Sequence, residues 1–178
     1  LSSDRVADEL LAAHRRGVDV RVLVEGGPVG GISNAQSRVL ARLVRNGVAV
    51  RVVDGPSARY AYHHSKYAVV DDRALVLTEN WKPAGTGGNS SRGWGVVVDD
   101  TRTTDRLATT FREDFSWRAA RNWSAFAAGR QFEPSVPANG SYPRRITPET
   151  LRADRVRLLV APDNAESALT DRINNTDD

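Results

Sequence analysis

His64 and Lys66, followed at set intervals by Asp71, Thr78, Glu79 and Asn80, form a stretch whose residue types and order could do chemistry. An imidazole two residues from an ammonium suits an anionic, phosphate-like group. One side chain can attack or carry a proton while the other holds charge. The surrounding residues, Tyr62 to Val70, read as a strand, in which alternate side chains share a face about 7 Å apart. On that expectation His64 and Lys66 point one way, Ser65 and Tyr67 the other, and His63 faces away from His64. Asp71 is out of step with both and stands in the turn Asp71-Asp72-Arg73. Its carboxylate can fix turn amides there, with direct contact to substrate as the other reading open to it.

The elements around this string alternate. Ser2 or Ser3 can cap a helix over 4–16, stopped by Gly17. Val18 to Glu25 reads as a strand, Gly26 to Gly31 as a turn, Asn34 to Asn46 as a helix stopped by Gly47, and Val48 to Val53 as a strand. Helix–strand–helix–strand is the pattern of an α/β layered domain with parallel strands. Tyr62 to Val70 and Ala74 to Thr78 then read as a hairpin. A polar loop over 82–92 leads to a strand over 95–98, and a helix runs over 101–118 with Leu107, Phe111 and Phe115 at four-residue spacing. Periodicity fades over 122–154, where Pro, Gly and Ser collect. A short strand over 156–160 and a helix over 164–174 follow, like the opening of a further α/β unit.

At 178 residues the chain is long enough for one full core, or for one domain and part of another. No apolar run approaches the roughly 18 residues that a membrane span needs. The net charge of +3 permits an anionic substrate without demanding nucleic acid. Lys66 and Lys82 are the only lysines, so a lysine beside His64 stands out in a chain whose positive charge is otherwise arginine. Without cysteine there are no disulfides, thiolate chemistry or cysteine-bound zinc. Asn-x-Ser/Thr triplets begin at Asn89, Asn122, Asn139 and Asn174, which favours an extracellular over a cytoplasmic protein.

The string His64-x-Lys66-x4-Asp71-x6, followed by Thr78-x-Asn80, resembles the HKD signature of the phospholipase D superfamily. The phrases GVDVRVLVEG and NGVAVRVVD ahead of it are similar to those that often precede the motif in that family. The resemblance spans roughly residues 3 to 118, with 155–174 resembling the start of a second copy. It implies an α/β, phospholipase D-like layered fold: a mixed sheet flanked by helices, holding one HKD half plus the start of a second. The division it suggests is an HKD-motif domain over 1–121, itself N-terminally truncated, a linker or extended loop over 122–154, and the beginning of a second unit over 155–178.

The activity implied is that of a phosphodiesterase or transphosphatidylase working without metal or other cofactor. The motif histidine attacks phosphorus to make a phosphohistidine, and a second histidine protonates the leaving alcohol. Carried over by position, His64 is the nucleophile or the acid, Lys66 a phosphate clamp and Asn80 a neutral donor to phosphate. Asp71 completes the motif. Thr78, Glu79 and Trp94 join as candidate substrate contacts, and Trp81 and Trp94 flank the polar loop and could line a groove.

Three departures from the family pattern stand out. Leu77 occupies the place where the family usually has glycine. The stretch Asn89-Ser-Ser-Arg-Gly-Trp94-Gly lacks the glutamate that often orients the histidine, leaving Glu79, another carboxylate or a backbone carbonyl for that part. The chain also has one motif where the chemistry needs two, because neither His14 nor His63 has a lysine at the right distance. The second half must come from a homodimer partner or from chain beyond this sequence. The substrate expected is a phosphodiester, either phospholipid or nucleic acid. An endonuclease of the same superfamily and a catalytically incomplete phosphate-binding module are the alternatives.

Overall fold

The computed structural model describes residues 1–54, 60–87, 91–137, 139–140, 146–161 and 163–175; Asn89 of the first glycosylation triplet lies outside them. The elements follow in order: α1 (Asp4–Arg15), β1 (Arg21–Glu25), α2 (Asn34–Arg45), β2 (Ala49–Val53), β3 (Tyr67–Val70), β4 (Arg73–Leu77), a single π-type turn (Pro83–Gly87), β5 (Gly95–Val98), α3 (Thr101–Ser116), β6 (Ala120–Asn122), α4 (Trp123–Ala127) and α5 (Ala165–Asn174). The helix starts have local causes. The Ser3 hydroxyl accepts the Val6 N–H, Ser33 accepts that of Gln36, and the Asp100 carboxylate accepts that of Thr103. The first two helices hand over to Gly17 and Gly47, which take the positive φ values of 91° and 88° that a left-handed stop requires.

A single mixed sheet is expected from the sequence, but the strands divide into two sheets of three. In the first, β1 and β2 run parallel through the α2 crossover, and β6 adds antiparallel to β2, with Val53 opposite Ala120. In the second, β3, β4 and β5 form an antiparallel meander whose first turn has just two residues, Asp71 and Asp72. The result is a mixed α/β fold of small sheets flanked by helices.

The main core lies on the first sheet. Ala7 and Leu11 from α1, Val39, Leu40 and Leu43 from α2, and Val24, Val50 and Val52 from the strands close around Trp123 and Phe126. The last two residues overturn the linker expected over 122–154, at least in its first part. Residues 120–127 form a strand and a short helix, Phe132 stacks on Trp123 with ring centroids 5.7 Å apart, and Glu133 bridges back to Ser33. The sequence hides this because α4 is barely more than one turn long, too short to show a period. The strand expected over 156–160 does not form. Among the described residues no strand lies beside it to satisfy its amides. The helix expected after it is present as α5, with no buried residue.

Candidate active site

The motif begins as a strand only at Tyr67, not at Tyr62, so His64 and Lys66 lie in the lead-in to β3. The β3–β4 ladder runs one rung further, the Leu77 N–H donating to the Lys66 carbonyl at 2.8 Å, and then stops. Two amides around that point have partners outside the β3–β4 pair. The His63 N–H donates to the Glu25 carboxylate at 2.6 Å, and the Thr78 N–H to the Trp94 carbonyl at 3.0 Å.

Glu25 is the last residue of β1, and its other oxygen accepts the Gly27 N–H at 2.7 Å. One carboxylate at the C-terminal edge of the parallel pair therefore ties the glycine turn to the residue before His64. Ligands characteristically bind at that edge of an α/β sheet. Behind the same residue, His63 Nε2 lies 3.4 Å from Asp114 Oδ2 on α3, both side chains nearly closed off from solvent. Tyr67 belongs to the same buried set. Its phenol is pushed well above the ordinary range by burial first, then by the Asp114 carboxylate, then by Tyr60.

Against this backing the paired faces expected of a regular strand resolve differently. His63 turns inward and His64 is exposed, yet Lys66 is buried at 9% exposure. The Lys66 ammonium donates to the carbonyl of His64 at 2.5 Å, which joins the cation to the backbone of the imidazole it accompanies. Burial lowers the Lys66 pKa from its ordinary value, and the negative charge of Glu79 opposes that shift.

The remaining candidates separate. Asp71 occupies the exposed hairpin turn with φ 51°, at the far end of β3 from Lys66. The structure therefore does not gather Asp71 with His64. Thr78 is committed as well. Its hydroxyl accepts the Trp94 N–H at 2.8 Å and donates to the Trp94 carbonyl at 3.3 Å. That exchange pins the end of β4 to the start of β5. Asn80 is exposed, and its carbonyl accepts the Lys82 N–H at 2.7 Å. Trp94 is 67% exposed and, with Trp81, Leu75, Leu77 and Glu79, lines an open hollow of about 330 Å³, so the two tryptophans do border a groove.

Leu77, where a glycine is expected, finds its compensation across the sheet. Its cross-strand neighbour is Gly95, and a Cβ there would come within 2.5 Å of Leu77 Cδ2. The strands approach normally because the small residue sits on β5 instead of β4. Glu25, His63 and Asp114 were not legible as a set from spacing alone. Asp114 does lie seven residues after Leu107 on the buried side of α3, and an acid on an otherwise buried helix face was the available signal.

Residues 1–115 match the model of a family described as cardiolipin synthase, PLD-like domain. No curated protein matches the chain.

Proposed function

Since the chain belongs to the phospholipase D superfamily, the match covering residues 1–115 of its 178, we propose that it is a phosphodiesterase acting through a phosphohistidine on His64. The observation that carries this reading is the exposed His64 imidazole on a segment whose backbone carbonyl holds the buried Lys66 ammonium. A cation fixed beside a nucleophile is worth most where charge accumulates in the transition state, here on the non-bridging phosphate oxygens. Asn80, exposed at the end of β4, adds a neutral donor to the same oxygens.

In the first step an imidazole nitrogen of His64 attacks phosphorus, a P–N bond forms, and the P–O bond to the leaving alcohol breaks. The histidine of a second HKD half gives that alcohol its proton. In the second step water, or another alcohol in a transphosphatidylase reaction, attacks phosphorus and surrenders its proton to the same second histidine. The P–N bond breaks and His64 is restored. The second half comes from a partner subunit of the same chain or from chain beyond this sequence, and the phosphodiester is carried by a lipid or a nucleic acid.

The test is hydrolysis of bis(4-nitrophenyl) phosphate in the presence of a chelator. Turnover that survives chelation, disappears in His64→Ala, and leaves an acid-labile phosphoryl group on His64 is the expected result. Turnover indifferent to His64 would refute the proposal. No turnover from a demonstrated dimer would favour a phosphate-binding module over an enzyme.

A further inference from the structure

His63 and Lys66 are close neighbours in the chain, yet their backbones are held by different sheets. The Lys66 carbonyl accepts the Leu77 N–H at 2.8 Å, which carries the ladder of the second sheet to that residue. The His63 N–H goes instead to Glu25, the last residue of β1 in the first sheet, at 2.6 Å. His64 lies in the short span between the two, and the Lys66 ammonium crosses that span to the His64 carbonyl. The base under Glu25 is firm. Glu25 pairs with Val53, and Val24 and Val52 on the preceding rung are buried. The pairing runs on to Gly26, whose N–H donates to the Val53 carbonyl at 2.8 Å. A Cβ at Gly26 would come within 2.6 Å of Asp54 Cβ, so the two strands close tightly where Glu25 projects.

We propose that Glu25 is a positioning residue for His64: its carboxylate bridges the glycine turn and the His63 amide, and so fixes the imidazole-bearing span to the first sheet. This rests on the reading of His64 as the nucleophile. The bridge needs two acceptor oxygens. Oε2 takes the His63 N–H and Oε1 the Gly27 N–H at 2.7 Å, and a charged acceptor makes both bonds stronger than neutral ones. A glutamine has the same shape but one acceptor oxygen, and its NH2 would face an N–H. Asp114, 3.4 Å from His63 Nε2, holds the ring of that residue, whereas Glu25 holds its backbone. Lys66 takes its place from β4. Losing the Glu25 bridge therefore moves the imidazole relative to the cation, rather than moving both together. Attack in line on phosphorus is sensitive to such a shift, about 1 Å of misplacement costing about a hundredfold.

The chain's three histidines make the test direct. With ¹³C-labelled histidine, the rings of His14, His63 and His64 give separate NMR signals in the whole folded protein, and His14 on α1 serves as the internal reference. In Glu25→Gln and Glu25→Ala alike, the His64 signal is expected to shift or broaden, and the His63 or Gly27 amide to lose protection against hydrogen exchange. Glu25→Asp, which keeps both oxygens on a shorter stem, is expected to change them less. In turnover of bis(4-nitrophenyl) phosphate below the melting temperature of each variant, kcat should fall up to about a hundredfold in Glu25→Gln while KM stays within about twofold. A His64 signal unmoved in folded Glu25→Gln and Glu25→Ala overturns the inference, whatever turnover does, and so does parent kcat in Glu25→Gln. Glu25 would then support the fold alone. A His64 signal that moves while wild-type turnover is absent supports the inference and counts against the proposed activity instead.

Discussion

Replacing Asp114 tests whether the buried set behind His64 positions it. In Asp114→Ala the His63 ring loses the carboxylate 3.4 Å away, and at 10% side-chain exposure it has little water to turn to. Leaving one buried polar group without its partner costs about 1–3 kcal/mol. At about 2–4 °C per kcal/mol for a chain of this size, the melting temperature should fall by about 2–12 °C. Asp114→Asn keeps the shape and an acceptor oxygen, so its fall should be smaller.

Charge is read separately through Tyr67, whose phenol is raised first by burial and second by the Asp114 carboxylate. Both variants should lower the Tyr67 titration part of the way, because burial remains. The sign for stability follows. A folded pKa above the unfolded value contributes stability that is present in full below the unfolded phenol's pKa of about 10 and lost as pH rises through the folded value. The alkaline loss of stability should therefore be shallower in Asp114→Asn than in the parent. Thermal unfolding followed by circular dichroism and phenolate absorbance against pH provide the two readouts. If Asp114→Ala melts with the parent and Asp114→Asn leaves the Tyr67 titration unmoved, the network does not exist as described. Should turnover be present, displacing the His63 backbone by about 1 Å would cost it roughly a hundredfold.

Phe126→Ala should destabilise by about 3–5 kcal/mol, because the ring is 2% exposed. The Arg130 guanidinium also lies 4.1 Å from the ring centroid. Urea unfolding decides between a core helix and a linker, since a loss under 1 kcal/mol would mean that residues 123–127 are not core. Thr78→Val should cost about 1 kcal/mol by breaking the hydroxyl exchange with Trp94, yet leave inorganic phosphate affinity unchanged by calorimetry. A large loss of phosphate affinity would return Thr78 to the substrate. Gly95→Ala should cost about 1–3 kcal/mol through its overlap with Leu77, and Leu77→Ala in the same chain should restore much of it. Additive losses in that double-mutant cycle would refute the pairing.

The sequence by itself determined the pieces that follow local rules. Helices α1, α2 and α3 were legible from their caps and apolar spacing, and the hairpin from Asp71-Asp72. The family was legible from the order His64, Lys66, Asp71, Thr78, Asn80, a property of spacing that needs no coordinates. Tertiary structure alone decided what depends on partners distant in the chain. What holds the residue before His64 turned on Glu25, 38 residues upstream, taking the His63 amide. Whether residues after Asn122 were linker or core turned on β6 finding the free side of β2. The role of Thr78 turned on Trp94, and the seat of Leu77 on the missing side chain at Gly95. A backbone amide has one hydrogen to give and a cavity holds one side chain. Which neighbour takes either is fixed only when the chain has folded back on itself.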